Sequence, residues 1–458
     1  MMNMKHAKII YNLSLFALLL GLANSCMVGP NFQKVEIESP DSYRYQDSAR
    51  GTETVMDWST FFNDKVLQEL IDSALVNNKD MRIAISKINE SRAYLGMANA
   101  DLYPGFSYSA SSSFGNSLTP GGDANAAFTG TANINWELVF WGKYRRASEA
   151  AQADLVASEY GLKAIELSLI AQVSNTYYSL LDYKNRLRIA KSTLDSRTES
   201  LRIVRERFEK GIVPEIDLNQ AQIQEATAAA AIPVYERSIA FTENALSILI
   251  GENPRNFIAE VEIENINLPD FVPAGLPSEL LLKRPDILEA EQLLKAQNAR
   301  IGVAQAMRFP SISLTGFLGL SSPELSDFNA FGSIGADLFG PIFYFGKNKR
   351  RVEAAQEVTE QFKLNYEKAV LSAFRETEDA LVYIRTLQQE LVFVEKQLAA
   401  SRNGAKLARQ RYDGGVTSYL EVLDAERGLF NIELYYSETL QKIMGAHTDL
   451  YKALGGDW

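Results

Sequence analysis

Apolar residues recur three and four positions apart along most of this chain, and strict alternation replaces that spacing in four short stretches. From Arg145 to Glu209 and from Asn348 to Asp413 there is no proline, and one interior glycine stands in each, Gly161 and Gly404. Both stretches read as single helices. At 1.5 Å per residue, 65 residues make a rod of about 97 Å, several times the usual globular length, so each rod needs a partner along its side. Leu180, Tyr183, Leu187, Ala190, Leu194, Leu201, Val204 and Phe208 supply a narrow coiled-coil seam that Arg197 interrupts. Ile384, Leu387, Leu391, Val394, Leu398, Ala405, Ala408 and Tyr412 repeat it. A helix buried in a globular core would carry a wider apolar face.

Each rod ends in a break, "RFEKGIVPEIDLNQA" from Arg207 and "RYDGGVTSYLEVLDA" from Arg411, after which helical spacing returns over Ile216 to Ile250 and Leu420 to Leu454. Gly211 and Gly415 permit positive φ, and Pro214 suits the start of the next helix, so each break predicts the tip of an antiparallel helical hairpin. The two tips lie at an offset of 204, which also relates "WGK" at Trp141 to "FGK" at Phe345 and Gly251 to Gly455. Farther upstream the offset is 206, matching Pro104 with Pro310. A period this long is a duplicated unit of domain size, not a solenoid repeat.

In the alternating stretches Phe106, Tyr108, Ala110 and Phe114 share one face, against Ser107, Ser109, Ser111 and Ser113. Phe128, Ala132, Ile134, Trp136, Leu138 and Phe140 stand against Thr129, Thr131, Asn133, Asn135 and Glu137. The second unit offers Ile312, Leu314, Leu318 and Leu320, then Ile334, Ala336 and Leu338, with Asp337 among the polar positions. Period two means strand. A soluble sheet packed on a helix would alternate in the same way. Strand length, and aromatics gathered at one end, match instead a strand that crosses a bilayer with its apolar face to lipid. Four strands cannot close a barrel, and an open edge in lipid leaves backbone groups unsatisfied, so several chains must share one wall. Three copies give 12 strands.

Composition narrows the rest. With 46% hydrophobic and 22% charged residues the chain has material for a core. Two histidines, His6 and His447, and one cysteine, Cys26, leave no disulfide within the chain and no cluster at metal-ligand spacing. Residues 1–25 carry Lys5 and Lys8 before an apolar run too short to span a membrane, the pattern of a signal peptide. Its end, "LANSC", resembles the box at which bacterial lipoproteins are cleaved and acylated on the cysteine, here Cys26. A chance cysteine in an ordinary signal peptide is the plain alternative. Removing the leader deepens the formal charge from −11 to −13, which disfavours nucleic acid as a partner.

The chain resembles the TolC-like outer-membrane channels, in particular the lipoprotein branch serving RND-type tripartite drug-efflux systems. "CMVGPNF" at Cys26, "DWSTFFNDKVLQELIDSAL" at Asp57, "AYLGMANADLYP" at Ala93, the "WGK" and "FGK" strand ends, both tip motifs, "KRPDI" at Lys283 and the closing "LYKALGGDW" carry the resemblance over nearly the whole mature chain. It implies a mainly α fold with a membrane β-barrel: a duplicated unit of long coiled-coil hairpins plus two strands, trimerised into a 12-stranded barrel and a periplasmic α-helical tunnel. The expected segments are a signal peptide at 1–25, a lipidated extended segment at 26–62, a first repeat at 63–251, a linker at 252–279 and a second repeat at 280–458. The first repeat carries a β-hairpin at 105–140 and a tip near 211, the second a β-hairpin at 311–345 and a tip near 415.

The resemblance also implies partners: a homotrimer, a periplasmic adaptor of the membrane-fusion type, an RND-type inner-membrane pump and outer-membrane lipid, with no cofactor. It places Tyr412, Glu421, Asp424 and Asp217 at the tunnel tip as gate residues, and Gly211, Pro214, Gly415 and Thr417 at the hairpin turns that meet the adaptor. Some relatives carry arginine where Thr417 stands, so an arginine-based lock is not expected here. Glu421 and Asp424, three apart, share a helical face, so a trimer would gather six carboxylates around one axis, favouring opening and cations. Solvated helix acids are the bland reading of the pair. The expected role is a passive exit duct. The alternative is a lipid-anchored coiled-coil structural or adaptor protein without a pore. An enzyme finds little support, because no nucleophile elbow or phosphate loop occurs.

Overall fold

A computed structural model describes residues 27–45, 58–116, 124–257, 262–266 and 277–456. The leader and Cys26 lie outside the described residues. The chain divides into two compact units, and each draws on both copies of the duplicated sequence.

Of the described residues, the first unit comprises 27–37, 86–116, 124–160 and 289–368. Its strands are β1 (Gly105–Asn116), β2 (Ala124–Leu138), β3 (Ser311–Ser322) and β4 (Asn329–Phe339), in one antiparallel sheet of order β1-β2-β3-β4. Gly105 opposes Asn135 and Ser311 opposes Phe339, so the two hairpins share one register at the offsets of 206 and 204 seen in the sequence. Between repeats, Ile134 opposes Gly316 and Trp136 opposes Leu314. This register lines up the apolar positions of all four strands on one face. The other face carries most of the serines, threonines and asparagines, joined by Ser109 to Thr131 at 2.7 Å and by Thr315 donating to Asp337 at 3.1 Å.

Along the chain the strands are preceded and followed by helices, α3 (Lys79–Ala100) and α4 (Lys143–Glu209) around the first hairpin, α7 (Pro285–Ala306) and α8 (Lys347–Asp413) around the second, numbered in chain order with those below. After β2, the segment from Met27 to Asn31 is strapped to the start of α4 by Arg146. The Arg146 guanidinium donates to the carbonyls of Val28 and Gly29, to Asn31 Oδ1 and to Glu149. Gly302 on α7 leaves room for the Arg146 stem, since a Cβ there would stand 2.7 Å from Arg146 Cγ.

Of the described residues, the second unit comprises 38–45, 58–85, 161–257, 262–266, 277–288 and 369–456. It holds α1 (Trp58–Phe61), α2 (Lys65–Asn77), α5 (Glu215–Leu249), α6 (Pro277–Lys283) and α9 (Tyr419–Ala453), with the later parts of α4 and α8. Its core gathers Phe61, Phe62, Leu67, Ile71, Val173, Tyr177, Leu180, Leu246, Ile250 and Tyr451. Asp64 has two tasks there: it caps α2 at the Val66 amide, 2.8 Å away, and accepts from the Tyr177 hydroxyl at 2.9 Å. Farther along the rods, Leu387, Val394, Leu398, Ala405, Ala408 and Tyr412 are buried as the seam predicts.

Arg197, the seam's interruption, is buried as well. It donates to the Gln224 carbonyl on α5 at 2.8 Å and lies over the Phe430 ring of α9 at 4.9 Å, so it ties three helices together.

Candidate hairpin tip and membrane wall

At both tips a helix ends in the same way. Gly211, with φ +70°, donates to the Phe208 carbonyl at 2.8 Å while the Ile212 amide reaches back to Arg207 at 2.9 Å. Gly415, with φ +71°, donates to Tyr412 at 3.0 Å and the Val416 amide reaches Arg411 at 2.9 Å. These are Schellman closures, in which a left-handed residue satisfies the last helical carbonyls, and glycine adopts that conformation without a Cβ penalty. Pro214 stands just before α5 in extended conformation, and Ser418 does the same before α9. The acids Glu215 and Asp217, and Glu421, then fall in first turns, where the helix dipole favours negative charge.

Apolar packing brings the two tips together. Leu201, Val204 and Ala221 of the first hairpin share a buried cluster with Ala408, Tyr412, Tyr419, Val422 and Leu423 of the second. Arg207 crosses between hairpins to lie over the Tyr412 ring at 4.8 Å, and the Tyr412 and Tyr419 rings are 5.2 Å apart. Burial pushes the Tyr419 phenol up to about 12.

The sequence-predicted residues separate into distinct environments. Tyr412 is buried in this cluster. Glu421 is exposed but engaged, receiving a hydrogen bond from the Thr417 hydroxyl and facing Arg411 Nε at 3.3 Å. Asp424, one turn on, stays exposed. Partial burial raises the Asp217 carboxyl above its ordinary value.

Sequence reasoning missed Glu426 and Arg409. Arg409 donates to the Ser200 hydroxyl at 2.7 Å and faces the Glu426 carboxylate at 3.6 Å. Burial raises Glu426 above the usual carboxylate range, opposed by Arg409 and Arg197. The only sequence signal for this group was the departure of Arg197 from the seam.

The wall is the sheet. Its apolar face displays Tyr108, Phe106, Ile334 and Leu338, all strongly exposed in the single chain. Gly316 sits between Ile134 and Ile334 on that face and makes room for both. The opposite face is not uniformly polar: Phe331 lies over Gly319 and meets Phe317 edge-on at 5.7 Å. Beyond β2, Trp141 stacks on Phe309 at 4.5 Å and donates to the Pro310 carbonyl at 2.7 Å. No described helix is long and apolar enough to cross a membrane, and the described residues contain no group of three or more potential metal ligands.

The family model for outer membrane efflux proteins matches residues 70–252 and 276–456. The chain is 33% identical to the "Cation efflux system protein CusC" of Escherichia coli O6:H1, over 94% of this chain and 96% of the relative. It is 33% identical to the "Probable outer membrane lipoprotein SilC" of Salmonella typhimurium, over 95% of this chain and 96% of the relative. The crystal structure of the Campylobacter jejuni CmeC outer membrane channel superimposes with a TM-score of 0.89 at 28% identity, covering 94% of this chain and 95% of that one.

Proposed function

The chain belongs to the outer membrane efflux protein family and is an outer-membrane efflux channel, and from that premise we propose how it conducts. Three copies share one β-barrel in the outer membrane, each giving the four strands β1 to β4, and their hairpins extend into the periplasm as the wall of a passive duct. The observation that carries this reading is the sheet itself. One face is dominated by apolar residues, and neither outer edge, that of β1 or that of β4, has a strand partner among the described residues. Backbone groups left open in hydrocarbon cost several kcal/mol each, so the edges require neighbours.

Cargo passes without chemistry, driven by an inner-membrane pump that a periplasmic adaptor couples to the tips. Gly211, Pro214, Gly415 and Thr417 shape the turns offered to that adaptor, and Tyr412, Glu421, Asp424 and Asp217 form the gate. Acylation of Cys26 holds the channel to the outer membrane, a reading that the name of SilC supports. Purified protein in planar bilayers should give discrete conductance steps, and Cys26→Ser should lose lipid label while keeping them. A protein that gives no steps and stays in solution without detergent once Cys26 is replaced would overturn the duct.

A further inference from the structure

The apolar face of the sheet carries a groove of about 910 Å³ that no side chain of the described residues fills. Tyr108, Phe128, Leu318 and Leu320 line it, and Leu325 and Phe328 bound it on the side of the turn between β3 and β4. Small residues make the floor, because Ala110 opposes Gly130 and Ala132 opposes Tyr108 in the register. Phe114 meets Phe128 edge-on at 5.6 Å and buttresses it.

Two features of the backbone set this groove apart from loose packing. Gly316, Gly319 and Gly332 also lie in strands, and an added Cβ at each would stand 2.9, 2.8 and 3.0 Å from another atom of the chain. Those glycines make room for the chain itself. Gly130 lines the groove, and an added Cβ there meets nothing within 4 Å, so it makes room for something the chain does not supply. Leu325 takes φ +61°, a left-handed backbone that leucine rarely adopts, and its side chain stays exposed at the rim of the groove. Glycine would occupy that position without strain, so an apolar side chain is kept there against local preference.

We infer that the groove seats an acyl chain of an outer-leaflet lipid, an inference that rests on the shared membrane wall proposed above. The helices that follow β2 and β4 run into the periplasm, so the turns of the strands lie at the outer surface. Trp136, whose indole donates to the Leu102 carbonyl at 3.0 Å, marks the helix end of β2. From there to Phe128 the strand climbs roughly 27 Å, or about 19 Å of height at a tilt of about 45°, past the middle of a hydrocarbon core about 30 Å thick. The groove therefore falls in the outer half of the bilayer. Lipid tails are as apolar as the wall, so expulsion from water does not choose between groove and wall. Contact on three sides does, summed over many dispersion contacts where the bare wall offers one side. A chain seated there exchanges more slowly than its neighbours.

Photolabelling tests the site. The full-length protein in phosphatidylcholine vesicles is irradiated with a phosphatidylcholine that carries a diazirine on its acyl chain, and the adducts are mapped to peptides. Residues 108–112, 128–132 and 318–325 should label about fivefold more than the same face at 334–338, which corresponds to about 1 kcal/mol of packing. Gly130→Leu fills the groove from an open position and should abolish the excess. Ala336→Leu, an enlargement of the same face outside the groove, should leave it unchanged. Leu325→Gly suits φ +61° and removes the rim, so it should lower the excess about twofold, and it decides the matter should Gly130→Leu assemble poorly. Even labelling along the face, or an excess that Gly130→Leu leaves intact, in a protein that migrates as a trimer and conducts, overturns the lipid site and leaves the duct standing. A groove that takes no label is filled by a neighbouring copy, which overturns the site as well. A monomer that does not conduct overturns both.

Discussion

The guanidinium of Arg409 on α8 lies 3.6 Å from the Glu426 carboxylate on α9, and the same group donates to Ser200 on α4. The ion pair ties the two arms of the second hairpin, and the hydrogen bond from Arg409 to Ser200 fastens that hairpin to the first. Burial dominates the environment of Glu426 and lifts its carboxyl, with Arg409 and Arg197 opposing the shift and Tyr419 close by.

A carboxyl raised in the folded tip binds its proton more tightly there than in the opened tip. Its contribution therefore favours the closed packing at low pH and is lost as pH rises from about 4.3 through the raised value. Asp217, also raised by burial, adds dependence of the same sign. Amide exchange at the tip, corrected for its intrinsic pH dependence, should speed up over that range. Glu426→Gln should flatten the slope in part; an unchanged slope would clear Glu426 of the effect.

Both tip glycines should tolerate a methyl group sterically and fail on backbone grounds alone. An added Cβ at Gly211 or Gly415 meets nothing within 4 Å, yet φ stands near +70° at each. Gly211→Ala and Gly415→Ala should each destabilise the turn by about 1–2 kcal/mol. Limited proteolysis at residues 207–216 and 411–420 is the readout, and equal loss at both tips is expected, because the two closures are alike.

Of the two acids three apart on α9, Glu421 is engaged by Thr417 and Arg411 while Asp424 is exposed. Glu421→Ala with Asp424→Ala should change single-channel conductance or cation preference while trimers still assemble. Arg411→Ala should act in the opposite sense, freeing the Glu421 charge and strengthening cation preference. Unaltered currents in both variants would remove the acids from the gate.

The rods, the sheet and the tips were legible in the sequence because each rests on a local period: three and four in the seam, two in the strands, glycine at the turns. The contacts that cross between segments were not. Arg197 looked like a flaw in the seam because its partners, Gln224 and Phe430, lie on other helices. Phe317 and Phe331 fall at polar-face positions of the alternation, and only the pairing of β3 with β4 brings their rings together. Glu426 carries no motif, and its burial follows from how the hairpins pack.

Arg146 provides the last test, on the segment that follows Cys26. Its side chain is 1% exposed and holds the Val28 and Gly29 carbonyls and Asn31 Oδ1, while the Val28 amide donates to the Trp141 carbonyl at 3.2 Å. Arg146→Met keeps the stem and removes the donors, leaving those acceptors to water. A loss of about 2–3 kcal/mol follows, or roughly a 30- to 160-fold rise in the detached segment. Exchange of the Val28 amide measures that population. Gly29→Ala should be at least as damaging, since φ is +102° and the new Cβ would stand 2.4 Å from Gly302 Cα. If both variants protect Val28 as the parent does, the strap is held by something other than Arg146.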